Sequence, residues 1–160
     1  MAGLEDLYRE IILDHYRSPR NRGELEVPPA HKTDGFNPLC GDEVSVYLII
    51  DGATDTVSDI KIAGQGCSIS QASTSMMSAA VKGKPVAEAR RLIRAFKALM
   101  SIHESKLEGE SDGSDLAADL EGVQLGDLEA LQGVVKFPVR IKCATLAWNT
   151  LQQGLDELEG

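Results

Sequence analysis

The chain reads as an α+β protein, a small antiparallel sheet of about three strands packed against several helices, with a helical carboxyl-terminal end. Three observations predict this. Residues 43–51 and 56–62 alternate apolar and polar side chains and are rich in Val, Tyr and Ile. They flank Asp51-Gly52-Ala53-Thr54-Asp55, a turn-forming stretch, which is the pattern of a hairpin. Several other stretches repeat apolar residues every three or four positions, the helical period.

At 160 residues and 17.2 kDa the chain is expected to form one domain over 1–160, long enough to bury a real core. Aromatic residues make up 4%, too few for stacking along single-stranded nucleic acid, and the net charge of −9 opposes phosphate binding. That charge is concentrated. Residues 104–129 hold nine acids against one lysine, nearly all of the excess. No amino-terminal apolar block resembles a signal peptide, and no run has the length of a membrane span. Three cysteines cannot all pair within one chain, which points to a reducing cytoplasm where cysteines are buried, catalytic or metal-bound.

In order, Leu4, Leu7, Tyr8, Ile11, Ile12 and His15 fall on one face of a helix over 4–16. Ser18-Pro19 and Gly23 end it, and His15 reads as a packed helix end. Pro28-Pro29 opposes regular structure, a short strand at 31–35 follows, and His31 reads as a solvated loop residue. Asn37-Pro38-Leu39-Cys40-Gly41-Asp42 is a turn into the hairpin. After the second hairpin strand come Gly64 and Gly66, then Cys67 at the joint with a helix over 68–81 that Ser68 or Ser70 can cap. A thiol at a helix start meets the positive end of the macrodipole. Within that helix Met76, Met77, Ala79 and Ala80 read as core. Gly83 stops it, and Pro85 opens a helix with the stripe Ala89, Leu92, Ile93, Phe96, Leu99 and Met100. Residues 101–126 read as an acidic insertion loop, followed by a short helix near 125–131 capped by Asp127. Pro138 opens the last helix, whose stripe is Ile141, Ala144, Trp148, Leu151 and Leu155. Cys143 lies beside that stripe, on the face of Val139 and Ala147.

Cys40, Asp42, Cys67 and Cys143 are the candidates for chemistry. Antiparallel pairing brings Cys40 and Cys67 to one end of the sheet, and three thiolates with a carboxylate suit a tetrahedral zinc ion. Gly41 lets the side chains of Cys40 and Asp42 turn toward one centre. Inert core cysteines are the competing reading, and the spacing contains no Cys-x-x-Cys to decide between them. What favours a shared site is the position of each cysteine near an element start, beside Gly or Pro.

Three ordered motifs carry a resemblance. They are Asn37-Pro38-x-Cys40-Gly41-Asp42, Gly64-x-Gly66-Cys67-x-Ile69-Ser70 and Phe137-Pro138-x-Arg140-x-Lys142-Cys143. With Asp14-His15-Tyr16 and Pro19-Arg20-Asn21, they resemble the U-type iron–sulfur cluster assembly family, the IscU, SufU and NifU amino-terminal group. IscU-like scaffolds carry His where this chain has Lys142, and that difference, with the long insertion, resembles the SufU type. The resemblance implies an IscU/NifU-N-like fold and zinc held by Cys40, Asp42, Cys67 and Cys143. It also implies a zinc-dependent sulfurtransferase activity, in which Cys40 accepts persulfide sulfur from a SufS-type cysteine desulfurase after a partner His displaces it from zinc. Downstream Suf scaffold proteins or apo iron–sulfur proteins would receive the sulfur. Arg140 would orient Asp42 or the incoming thiolate. Zinc with three thiolates and a carboxylate sums to −2, a charge that Arg140 and Lys142 would offset. The alternative the resemblance leaves open is a scaffold holding an iron–sulfur cluster on the same four residues, since thiolates suit both.

Overall fold

The computed structural model describes residues 4–27, 30–38, 41–108, 128, 130–131 and 138–159. In chain order these form α1 (Leu4–Arg17), β1 (His31–Asn37), β2 (Asp42–Asp51), β3 (Thr56–Gln65), α2 (Ser68–Val81), α3 (Val86–Glu108) and α4 (Pro138–Glu159). The strands pair antiparallel in the order β1-β2-β3, as the alternation predicts. Asn37 lies opposite Asp42, and Glu43 opposite Gln65, so the end of β1, the start of β2 and the end of β3 share one edge.

One face of the sheet is sealed by the helices. Val44, Val46 and Leu48 of β2 and Val57, Ile60 and Ile62 of β3 are buried in a common cluster with α2, α3 and α4. All five residues of the stripe read on the last helix are buried, and the Trp148 ring stacks on Phe96 of α3 at 4.7 Å between centroids. Aromatic pairs of this geometry add about 0.5–1.5 kcal/mol beyond the area they bury. Leu128, Ala130 and Leu131 are buried in the same region. The cap read at Asp127 and the acidic run over 109–127 lie outside the described residues.

α2 is unusual because its buried face is largely hydroxyl. Ser70, Ser73, Thr74, Ser75 and Ser78 are buried beside Met76 and Met77, whereas Ala79, expected in the core, is exposed. Hydroxyls in a core need partners, since an unpaired one costs about 1–3 kcal/mol. Ser73 Oγ donates to the Ala144 carbonyl at 2.5 Å and accepts Trp148 Nε1–H at 3.2 Å. Ser75 Oγ shares a 2.8 Å hydrogen bond with His15 Nδ1 and accepts the Arg20 N–H at 2.9 Å. Ser78 Oγ meets the Arg20 carbonyl and the Asn21 side chain, both at 3.1 Å. α2 is therefore fastened to α1, to the segment after it and to α4 by polar contacts. His15 is a packed helix end, as expected.

Several expectations shift. Leu7, read on the buried face of α1, is 56% exposed, because α1 rests on α2 along its His15 side. His31 opens β1 instead of lying in a loop, and its Nε2 pairs with Glu157 Oε1 of α4 at 2.9 Å. His31 and Thr33 together hold the Glu157 carboxyl below its usual range. β3 continues past Ile62 to Gln65, because Gly64 can still pair with Val44. Pro85 stands just before α3, its carbonyl accepting the Ala89 N–H. α3 itself runs on to Glu108, so the first part of the expected loop is helical; after Met100 only Ile102 and Leu107 are apolar, too sparse to announce it. Among the described residues no helix is long and apolar enough to cross a membrane.

The hydroxyl fastening of α1 is testable. Ser75→Ala removes the hydroxyl that pairs with His15 Nδ1 and accepts the Arg20 N–H, and should cost about 1–3 kcal/mol. Urea unfolding followed by Trp148 fluorescence would measure it, and an unchanged midpoint would show that Ser75 merely fills space.

Candidate metal and sulfur site

The shared edge of the sheet gathers the candidate residues. Asp42 is the first residue of β2 and is fully buried. A buried carboxylate demands donors or a cation. Its Oδ1 accepts the Cys67 N–H at 2.9 Å, and its Oδ2 lies 3.9 Å from Cys67 Sγ. No ion pair with a described residue reaches it. The close approach depends on Gly66, where a Cβ would overlap Asp42 Oδ1. Gly41, just before Asp42, has φ +68°, the left-handed conformation that glycine adopts without penalty.

Cys67 itself caps α2, in place of the Ser68 or Ser70 read from the sequence. Its backbone is extended (φ −70°, ψ 167°), and Sγ accepts the Ser70 N–H at 3.4 Å. A thiol thus does the work that Ser, Thr, Asp or Asn usually does at this position. Arg22 braces the joint from outside, donating to the Gly64 carbonyl at 2.9 Å and to Gln71 Oε1 at 3.0 Å.

Cys143 arrives from α4 and is fully buried, with Asn37 Nδ2 at 4.0 Å from Sγ. The ligand atoms of Asp42, Cys67 and Cys143 all lie within 4.8 Å of one another. Arg140, one helical turn before Cys143, is exposed. The charge and hydrogen-bonding capacity of Cys67 raise its pKa above the usual arginine value; desolvation works against this to a lesser degree, and Cys143 adds a smaller push upward. A guanidinium beside two sulfurs is placed to stabilise negative charge on them.

Of the four residues read as a set, the structure brings three together and adds Arg140 to them. Cys40 lies outside the described residues, between Pro38 and Gly41. Sequence reasoning assigned no role to Asn37 or Arg22. Asn37 sits inside the first cysteine motif, so its place there was a signal. Arg22 gave none, because its partner is a backbone carbonyl.

The sequence profile of the NifU-like N-terminal domain matches residues 7–143. The chain belongs to the NifU-like N-terminal domain family. This family includes relatives on both sides of the division drawn from the sequence. The zinc-dependent sulfurtransferase SufU of Bacillus subtilis strain 168 is 43% identical over 159 residues, covering 99% of this chain and 96% of that one. The iron–sulfur cluster assembly scaffold protein IscU of Streptococcus pyogenes is 38% identical over 155 residues, covering 97% and 86%. The crystal structure of a nitrogen-fixing NifU-like protein from Brucella abortus, in its N-terminal part, has a TM-score of 0.76 at 22% identity, covering 98% of this chain and 96% of that one. At that identity the likeness speaks for the fold, and it agrees with an IscU/NifU-N-like arrangement of sheet and helices.

The Gly66 contact gives a test of how the site is held. Gly66→Ala should push the Asp42 carboxylate off the Cys67 amide, costing about 1–3 kcal/mol as overpacked substitutions do. Amide hydrogen exchange at Cys67 should then accelerate while exchange in α4 stays as it was. Equal protection at Cys67 in both proteins would show that the Gly66 approach is not what positions Asp42.

Proposed function

We propose that the chain is a zinc-dependent sulfur acceptor in iron–sulfur cluster biogenesis, working in a reducing cytoplasm with a SufS-type cysteine desulfurase. The observation that supports this reading most is the convergence of Asp42, Cys67 and Cys143 within 4.8 Å, with the Arg140 guanidinium beside the two sulfurs. One ion with bonds of about 2.0–2.3 Å spans such a set, and a buried carboxylate with two sulfur donors is a donor set that zinc accepts. Asp42, Cys67 and Cys143 would hold it, with Cys40 as the fourth ligand. When bound, zinc keeps coordinating thiols deprotonated at neutral pH.

The protein's own residues divide the remaining work. In this reading the Cys40 thiolate attacks the outer sulfur of the desulfurase persulfide. A new S–S bond forms on Cys40, the partner's S–S bond breaks, and the partner cysteine leaves as a thiolate. No net oxidant is needed. Such exchange is fast when the attacker is ionised and accessible. Cys67 and Cys143 are held in place by the α2 cap and by α4, which suits them to remain ligands while Cys40 reacts. Arg140, exposed beside the sulfurs, would meet the incoming anionic persulfide. Sulfur would pass on to a downstream scaffold or an apo iron–sulfur protein.

The scaffold reading, in which the same residues hold an iron–sulfur cluster, is supported by the same donor set and by the likeness to IscU. The exposed Lys142 beside Cys143 weighs against it, since a protonated ammonium offers no lone pair to iron.

Three measurements decide between them. The purified protein should contain one zinc per chain and stimulate a cognate desulfurase, and Cys40→Ala should abolish that stimulation. Full stimulation by Cys40→Ala would remove the acceptor role. Anaerobic reconstitution with iron and sulfide, yielding a stable cluster that passes to an apo-ferredoxin, would instead establish the scaffold.

A further inference from the structure

The hydroxyl face of α2 contains one exception. Ser73, Thr74, Ser75 and Ser78 each have a hydrogen-bond partner for the side-chain oxygen, but Ser70 Oγ is buried without one among the described residues. Ser70 is fully buried, so water does not supply the missing contact. A buried serine in a helix commonly donates back to a carbonyl three or four residues earlier, as Thr74 does to Ser70 at 2.7 Å. Ser70 does not. It stands one turn before Ser73, on the face of α2 that meets α4 next to Cys143, and its own amide already donates to Cys67 Sγ. Ala at this position would avoid the unsatisfied hydroxyl and favour the helix more.

We infer that Ser70 is a positioning residue whose hydroxyl donates to the Cys67–Cys143 thiolate pair when the site carries its metal. The inference rests on the metal reading proposed above. A thiol is a weak acceptor, whereas a metal-bound thiolate is anionic and takes charge-assisted hydrogen bonds. The Ser70 amide then supplies one donor to Cys67 and the hydroxyl supplies a second to the pair. Donors of this kind fix the ligand's direction and moderate its charge, and losing one typically weakens metal binding about 10–100-fold.

This predicts effects of opposite sign in the two states. Ser70→Ala and Ser70→Thr are compared with the unaltered chain, using Zn²⁺ alone in competition with a chromophoric chelator and thermal unfolding of the metal-free proteins. Ser70→Ala should bind zinc about 10-fold more weakly, while its metal-free form melts no lower than the unaltered chain. Ser70→Thr, which keeps the hydroxyl, should restore most of the affinity. Equal zinc affinity in Ser70→Ala and the unaltered chain would overturn the inference and leave the metal reading intact. A lower melting temperature of metal-free Ser70→Ala would make Ser70 an ordinary packing residue. An unaltered chain that takes up no zinc would overturn both readings together.

Discussion

The structure depends on one hydrogen bond, from the Cys67 amide to the Asp42 carboxylate at 2.9 Å. It joins the first residue of the central strand to the residue that caps α2, across Gly66. A charged acceptor at a helix start is favourable twice over, because it satisfies an otherwise open N–H and faces the positive end of the helix dipole. Without it a buried carboxylate would stand next to unpaired backbone donors, an arrangement no small domain tolerates cheaply. Sheet, helix and candidate ligands are therefore a single construction, since the bond that seats the helix also aims the carboxylate.

α4 completes that construction from the opposite side. Its apolar stripe runs under the sheet and stacks Trp148 on Phe96, while Cys143 lies on the flank that reaches the sheet edge. The depth of the stripe fixes where Cys143 can be. Because Arg140 is one turn earlier on the same helix, burying Cys143 brings a solvent-exposed cation to the rim beside two sulfurs. Seating α4 thus sets both the inner candidate sulfur and the outer charge.

Much of this was legible in the sequence, and two of the exceptions share a cause. The hairpin could be read because Val44, Val46 and Leu48 fall at every second position and are all buried, and the last helix because its stripe is long and uninterrupted. Antiparallel pairing predicts that Cys40 and Cys67 share one end; Cys40 lies outside the described residues, and Asp42, two positions on, does meet Cys67 there. The α2 cap was misread because propensity favours a serine hydroxyl, and nothing local shows that Asp42, distant in sequence, has already claimed the Cys67 amide. Leu7 was misread because periodicity reveals a face without revealing whether a neighbour covers it. The end of α3 was hidden because residues after Met100 carry no apolar repeat. The misses at the α2 cap and at Leu7 concern partners that are remote in the chain.

The hydroxyl face of α2 has a further consequence. Two helices that meet through smooth apolar side chains can ratchet past one another by a turn, about 5.4 Å, and recover similar packing. Here such sliding would separate Ser73 from the Ala144 carbonyl and Trp148, and Ser75 from His15 and Arg20, all at once. Each loss would strand a polar atom in the interior. The serines therefore act as teeth: they cost helix propensity, and in return they permit one longitudinal setting of α2 against α1 and α4. Two sulfurs carried on separate helices can stay within ligand range of each other because neither helix is able to slip.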